Sequence, residues 1–463
     1  MSRLPTDRRT LLKAGLAAPI ALQVDSAAAV SLDLTMFGPG RLFADVQSYA
    51  EAGNKQSGGA GDRWTADWTA KRLFSAGFEV DRQTFDVPWF EASHCELTLG
   101  DHTIPLVAQP LAVETGEAGL AAPLRLAEIP ERLDGAIAAV RLPFRRWLDE
   151  QRYQHIDAAR GLYFSHEMLA ADAAARGKGV ALTTQLLTAD ALARGANGVI
   201  LITTGPTGEA LLLNVPAGHP VSDKPLALLA PRLAAPVIEA ARHGAAAKLA
   251  LRGRGGIRAA QNIIGRRVRS GRPWLVVSTP RSGWTDCAGE RGPGIAMWLA
   301  LADWMPRAFP QHSLLFLCNS GHEYENLGAS HIADKVGPAP GETAFWFHLG
   351  ANAAARDYQE MPGRLLPLPS ADPYRFLMTS PEFVTCAREI FKGQPGLEMA
   401  YPSAEGTAGE LSEVIKAGYV RHAGIFGAHR HHHAVTDDLS TVTPDPLAAT
   451  ARGVRDLLSA VVS

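Results

Sequence analysis

The stretch SLLFLCNSGHEYENLGAS, residues 313–330, joins an apolar run to a pair of ionisable side chains. The run that ends near Ser320 is typical of a strand buried on both faces of an α/β sheet. His322 and Glu323 follow directly after it. Functional groups in open α/β sheets gather where the strands end at their carboxyl edge. The stretch therefore predicts both the fold class and a metal site with a nearby base.

Composition is that of an ordinary globular protein. The chain has 463 residues, 46% of them hydrophobic, which is long enough for two domains with their own cores. The formal net charge is −2 with both signs interspersed, so we expect no nucleic-acid partner. The four cysteines show no CxxC pairing, which excludes a cysteine-rich zinc knuckle.

The first residues differ from the rest of the chain. Arg8 and Arg9 precede a modest apolar run from Ala14 to Val24, and three alanines end at Ala29. This pattern predicts a twin-arginine export signal over residues 1–29, against the alternative of an ordinary amphipathic helix. The run is too short to cross a bilayer, so we expect no stable membrane insertion and a periplasmic or extracellular mature protein.

Strands alternate with helices along the chain. Residues 62–76 read as a helix capped by Asp62, and residues 295–305 as a helix that stops before Pro306; apolar runs at 274–278 and 344–349 read as strands. The fold class is α/β, with a mixed, mostly parallel sheet flanked by helices. The block 111–257 reads as an inserted smaller α/β domain, which leaves 30–110 and 258–463 as the main domain.

Four places fit the rule that functional groups follow strands: residues 280–290, His322 with Glu323, His348, and HRHHHAVTDD at 429–438. They are far apart in sequence, and we expect them to be adjacent in space. No G-x-S-x-G elbow, GxGxxG motif or P-loop occurs in the sequence. A serine hydrolase of the elbow type and a nucleotide-binding protein therefore have no support.

With these features in view, the chain resembles the zinc aminopeptidase family that also contains glutamate carboxypeptidase, glutaminyl cyclase and the transferrin receptor ectodomain. The opening helix and strand, the insert and three metal-bearing segments carry the resemblance: GDRWTADWTAKRLFSAGFEV (61–80), LDGAIAAVRL (133–142), GANGVILIT (195–203), LVVSTPRSGWTDCAGERGPGIAMWLALA (275–302), LLFLCNSGHEYENLGAS (314–330) and HHHAVTDDLSTV (431–442). It implies a zinc exopeptidase-like fold with a protease-associated domain at 111–257.

The site departs from the family pattern. Pro280 and Ser282 stand where the family places a His and an Asp, and Gly350 stands in place of another Asp. The bridging Asp falls on Glu290. The family's catalytic Glu falls on His322.

The groups that remain could hold one zinc ion. The resemblance implies Glu290, Glu323 and His433 as ligands, with His348 as a fourth because it lies two residues before Gly350 on the same strand face. His432 is the alternative to His433, and Asp437 could orient the imidazole. His429 and His431 are expected on a surface loop. The ligand set is too small for two metal ions.

His322 is the candidate catalytic base, since a histidine beside a ligand carboxylate can take a proton as Glu does in relatives. The alternative is a buried histidine in a site that no longer reacts. Arg281 and Arg291 are candidate substrate-binding residues that could hold a carboxylate or phosphate. Equally, each could replace the charge of the metal and neutralise Glu290 and Glu323.

Two functions follow from the resemblance. The first is a divergent exported hydrolase that cleaves an amide bond of a peptide-like or aminoacylated small molecule with at most one zinc. The second is a non-catalytic pseudopeptidase that acts as a binding or scaffold protein. Conventional two-zinc aminopeptidase activity is not expected from either.

Overall fold

A computed structural model describes residues 34–109, 111–142, 180–217, 222–333, 335–361, 363–405, 407 and 409–462 of the chain. The predicted signal at residues 1–29 lies outside these ranges. Among the helices of the described ranges, none combines the length and apolar character that crossing a bilayer requires.

Nine helices of at least six residues and sixteen strands form the described part of the chain. The helices are α1 Pro39–Glu51, α2 Ala60–Ser75, α3 Val180–Ala193, α4 Ala234–Arg242, α5 Gly292–Ala308, α6 Leu327–Ala333, α7 Val384–Ile390, α8 Leu411–Lys416 and α9 Pro444–Val462. The strands are β1 Glu79–Leu99, β2 His102–Pro105, β3 Val107–Ala108, β4 Leu120–Leu126, β5 Ile137–Arg141, β6 Gly198–Ile202, β7 Leu226–Leu229, β8 Ala246–Arg267, β9 Trp274–Pro280, β10 Ser313–Asn319, β11 Thr343–Leu349, β12 Arg356–Met361, β13 Arg364–Ala371, β14 Arg375–Thr379, β15 Tyr401–Pro402 and β16 His422–Gly427.

Four parallel strands form the centre of the main sheet, in the order β16, β11, β9 and β10. All four are almost wholly buried, as the apolar runs predict for β9, β10 and β11. Helices α1, α5 and α9 cover this part of the sheet and share one hydrophobic core with it. The predicted α/β class, with a mostly parallel sheet flanked by helices, is confirmed.

The long strands β1 and β8 connect the two halves of the sheet. They pair antiparallel from Glu79 opposite Arg266 to Leu99 opposite Ala247. The end of β8 pairs with β10, and its beginning pairs with β4. Strands β4 to β7 therefore lie beyond β8 and enclose cores of their own. The division into domains at residues 111 and 257 stays a prediction.

Two predicted helix ends are wrong by a few residues. Helix α5 starts at Gly292 and continues through Pro306, because the bond from the Phe309 amide to the Met305 carbonyl re-forms the ladder beyond the proline. Asp62 does not cap α2, since the helix already begins at Ala60. Its carboxylate turns back and accepts a hydrogen bond from the amide of Gly58 at 2.8 Å.

A buried ion pair connects α2 with the ends of the central strands. The Nε of Arg281 lies 2.9 Å from Oδ1 of Asp62, and both side chains are within 1% of full burial. The guanidinium also donates to the Cys318 carbonyl at 2.7 Å and to the Gln261 carbonyl at 2.5 Å. Oδ2 of Asp62 accepts from the Ser320 hydroxyl at 2.9 Å. The pair thus fixes the chain after β9 and β10 against α2 and β8.

We expect Arg281→Met to lower the free energy of unfolding by about 3–5 kcal/mol, because it leaves the Asp62 carboxylate buried without its cation. Urea denaturation followed by circular dichroism measures this loss. The matched control is Arg266→Met, whose partner Asp81 is 58% exposed, and it should cost less than about 1 kcal/mol. Equal losses in the two variants would contradict a structural role for the Arg281–Asp62 pair.

Candidate metal and catalytic site

Glu290 lies at the turn that starts α5, where the chain after β9 meets the chain after β16. Asp437 makes this junction, because its carboxylate accepts the Gly289 amide at 2.7 Å and the Glu290 amide at 3.0 Å. Both carboxylates are fully buried. Strands β9 and β16 are parallel with β11 between them, so both loops lie at the same edge of the sheet, as the sequence predicts.

The Glu290 carboxylate faces a group of cations and imidazoles. Its Oε1 lies 2.6 Å from Nη2 of Arg291 and 3.6 Å from Nε2 of His433. Burial acts to raise the pKa of Glu290, but Arg291, His432 and His433 together hold this pKa well below its ordinary value. Glu290 is therefore an anion, and neither of its buried oxygens accepts a well-aligned hydrogen bond from the described residues.

His432 and His433 complete this group. Their rings stack with centroids 4.2 Å apart and 14° between the planes. Nδ1 of His433 lies 2.7 Å from the Leu212 carbonyl, and since a carbonyl only accepts, Nδ1 carries a proton. The other ring nitrogen, Nε2, faces Glu290. One ligand atom from each of Glu290, His432 and His433 lies within 4.8 Å of the others. Two nitrogens and a carboxylate oxygen are donors that suit zinc.

The other histidines of the run have different roles from those expected. His429 is buried rather than on a surface loop, so that prediction is wrong, and its Nε2 lies 3.5 Å from Oδ2 of Asp437. Burial lowers the pKa of His429, but the charge of Asp437 raises this pKa by more than burial lowers it. The net shift of the His429 pKa is therefore upward. Asp437 thus faces His429, and the Leu212 carbonyl orients His433 instead. His431 is half-buried and contacts the Thr436 hydroxyl at 2.9 Å.

Glu323 is buried and fully hydrogen-bonded at a distance from this group. Its Oε1 accepts the Ser57 amide at 2.7 Å, and its Oε2 accepts the Ser282 hydroxyl at 2.6 Å. Ser282 thus supplies a donor to this buried carboxylate and adds no negative charge beside it. Sequence reasoning missed Ser57, which lies 266 positions before Glu323 and belongs to no motif.

His322 points toward a carboxylate that the sequence analysis did not identify. Its Nδ1 lies 3.4 Å from Oε1 of Glu410, and the other oxygen of Glu410 accepts the Asn319 amide group at 2.8 Å. Burial raises the pKa of Glu410, but the neighbouring His322 lowers this pKa by more than burial raises it. The net shift of the Glu410 pKa is therefore downward. His322 and Glu410 form a buried imidazole–carboxylate pair of the kind used to orient a base.

His348 lies on β11 with its ring against β9. Nδ1 of His348 is 2.9 Å from the Ser278 hydroxyl, which also accepts the indole N–H of Trp346 at 2.8 Å. A Cβ added at Gly350 would lie 3.4 Å from Nε2 of His348, so the ring turns toward the position of the missing Asp. Burial lowers the pKa of His348 to about 4, which makes it neutral at physiological pH.

The two arginines lie in different surroundings. Arg291 is fully buried beside Glu290, and its Nε donates to the Ser282 carbonyl at 3.2 Å. Arg281 is equally buried but pairs with Asp62, not with Glu290 or Glu323. A ligand carboxylate would reach either guanidinium only after the protein rearranged. Their assignment as substrate-binding residues stays a prediction, as does that of Glu323 and His348 as metal ligands.

Comparison with known proteins places the fold. No model of a protein family and no curated protein sequence matches the chain. Solved structures do match: a zinc aminopeptidase from Bacillus subtilis (16% identity, 92% of this chain and 94% of that one, TM-score 0.64) and an aminopeptidase from Aneurinibacillus sp. strain AM-1 (14%, 93% and 94%, 0.59). A peptidase M28 precursor from Shewanella amazonensis matches with 17% identity over 90% and 92% of the two chains and a TM-score of 0.65. The predicted likeness to a zinc exopeptidase-like fold is confirmed.

We expect His348 to make the protein sensitive to acid. Its pKa is about 4 in the folded state and 6.5 in the unfolded state, so only the unfolded state binds this proton between those values. Stability is therefore lost as pH falls from about 6.5 to 4, by about 3 kcal/mol in total. Urea denaturation across this window should show a smaller loss for His348→Gln than for the wild type.

The control for this measurement is His243→Gln, because His243 has a 72% exposed side chain at the surface. That variant should keep the wild-type dependence on pH. A His348→Gln profile parallel to the wild type would show that His348 does not supply the acid sensitivity.

Proposed function

We propose that this protein is a divergent single-zinc hydrolase that cleaves an amide bond of a peptide-like or aminoacylated small molecule. The observation that carries the proposal is the buried group of Glu290, His432 and His433, whose ligand atoms lie within 4.8 Å of one another at the carboxyl edge of the sheet. The structures of similar fold include proteins described as a zinc aminopeptidase and an aminopeptidase. Export by the twin-arginine route, supported by Arg8 and Arg9, belongs to the same proposal.

The residues present fit a zinc ion. Among the described residues, neither Glu290 oxygen accepts a well-aligned hydrogen bond, and Nε2 of His433 is the ring nitrogen that faces Glu290. Glu290, His432 and His433 would hold the ion. When bound, zinc would supply Lewis-acid chemistry, which polarises a carbonyl or a water molecule. Three protein ligands are the number found in catalytic zinc sites, which keep one position open.

The chain's own residues would position the proton and the substrate. His322 would hold the proton at Nε2, because its Nδ1 faces Glu410 and that carboxylate stabilises an imidazolium. Glu410 is in turn fixed by Asn319. Neutral His348 adds no positive charge beside this pair at physiological pH. The apolar side chains around Leu212 exclude water, which strengthens every charge interaction in the site.

One observation favours the second function, a non-catalytic binding or scaffold protein. The Arg291 guanidinium already lies 2.6 Å from Oε1 of Glu290 and supplies a positive charge where the metal would lie. Glu323 is likewise saturated by Ser57 and Ser282. A zinc ion would add a second cation next to Arg291, and Glu290 is the one carboxylate of the group that would offset their repulsion. Metal content separates the two functions.

We expect about one zinc per purified chain, measured by elemental analysis, and less than a tenth of that in His433→Ala and in His432→Ala. Each variant removes one of the three ligands of the cluster and leaves two, fewer than a catalytic zinc site uses. His422→Ala is the matched control, because this histidine is also buried but contacts Tyr419 and Ser403. The His422→Ala variant should contain as much zinc per chain as the wild type. Wild-type protein without zinc after growth in zinc-supplemented medium would favour the binding protein.

We expect His322→Ala to lower kcat on a panel of aminoacyl 4-nitroanilides by about 10²–10⁴-fold while the zinc content stays the same, because the variant removes the proton carrier but no ligand of the cluster. Glu410→Gln should reduce kcat less than His322→Ala does, since the imidazole stays in place but loses the carboxylate that orients it. Full activity in His322→Ala would refute its role as the base.

A further inference from the structure

The segment Ala210–Val215, which we name the covering segment, lies across the site from the far half of the sheet. It belongs to no helix or strand, yet Leu211, Leu213 and Val215 are at most 4% exposed. Loops that carry buried backbone need hydrogen-bond partners for it. The partners of this one come from the loops after β10 and β16 and from three further side chains.

Three backbone contacts join the covering segment to predicted site residues. The Leu212 amide donates to the His433 carbonyl at 3.1 Å, and the Leu212 carbonyl accepts from Nδ1 of His433 at 2.7 Å. The Val215 amide donates to the Glu323 carbonyl at 3.0 Å. Leu212 is 8% exposed. The segment therefore spans the gap between the loops after β10 and β16 and covers it with apolar side chains.

Three side chains from outside the loops after β10 and β16 bind the segment. The first is Thr203, whose hydroxyl accepts the Leu211 amide at 3.1 Å. Gln109 binds Leu213 twice, since its Nε2 donates to the Leu213 carbonyl at 2.6 Å and its Oε1 accepts the Leu213 amide at 3.2 Å. The Oδ1 of Asn214 accepts the indole N–H of Trp284 at 3.1 Å. These contacts hold the segment through a few side chains instead of a sheet ladder, so it can leave without breaking a strand.

We infer that the covering segment is an autoinhibitory cover: it closes the site in the state observed, and the site becomes accessible when the segment leaves. This inference rests on the proposed function for its biological meaning, because it describes how the same site is regulated. Opening exposes three leucines and a valine to water, so the open state is a minor population. A ligand with apolar groups that replace these side chains would shift the population toward it.

The test compares Gln109→Ala with the wild type, and Asn214→Ala serves as a second variant should the first fail to fold. Gln394→Ala is the matched control, since this glutamine also makes two hydrogen bonds, to Ala449 and Thr450, on helix α9. In chelator-treated protein, diethylpyrocarbonate should modify His432 and His433 about tenfold faster in Gln109→Ala than in the wild type. Hydrogen exchange of the peptide over residues 209–217 should accelerate by a similar factor.

His422, buried on β16, provides the internal reference, and its modification rate should not change. Equal rates at His432 and His433 in Gln109→Ala, Gln394→Ala and wild type would overturn the inference. So would faster exchange of the segment without faster modification of the two histidines. These readouts need neither zinc nor a substrate, so a protein that lacks both zinc and activity would refute the proposed function and leave the cover to be judged on its own result.

Discussion

The buried pair of Arg281 and Asp62 is the constraint on which the site depends. Removing two charges from water is costly, and a buried pair is maintained only when further hydrogen bonds satisfy its remaining atoms. Arg281 meets this condition by donating to one carbonyl of β8 and one of β10, and Asp62 by accepting from Gly58 and Ser320. These contacts fix the loop after β9 and the loop after β10 to each other, and the functional side chains lie on these fixed loops.

The other buried carboxylates of the site are likewise stabilised by nearby cations or hydrogen-bond donors. Glu290 faces Arg291 and two imidazoles, Glu323 accepts two hydrogen bonds, and Glu410 pairs with His322 and Asn319. Each carboxylate has its own partner. Glu323 and His348 have local partners, and their assignment as metal ligands stays a prediction. Glu290 differs in that both of its oxygens lack an aligned donor among the described residues. Glu290, His432 and His433 therefore form a compact group of three candidate ligands.

Much of the fold could be predicted because it depends on local pattern. The apolar runs before Asn319 and Leu349 indicated buried parallel strands, and the strand-end rule then indicated where functional groups would gather. Ser57, Glu410 and Leu212 could not be found in this way. Each reaches the site from an element distant in sequence, and Leu212 acts through its backbone carbonyl, which has no residue-specific signature. His429 failed for a related reason, since a run of histidines gives no periodicity from which burial can be inferred.

The covering segment and the tautomer of His433 are coupled by a single hydrogen bond. While the Leu212 carbonyl accepts from Nδ1, a proton is held at Nδ1, and Nε2 is the nitrogen that faces Glu290. When the segment leaves, Nδ1 loses its acceptor and the imidazole can place its proton on either nitrogen. A ligand that opened the site would therefore preserve the ligand geometry of His433 only if it supplied an acceptor, such as an amide carbonyl, at the place that Leu212 vacates. The contact between Leu212 and His433 both covers the site and orients the imidazole. A ligand that displaces Leu212 must therefore also replace its carbonyl as the acceptor for Nδ1 of His433.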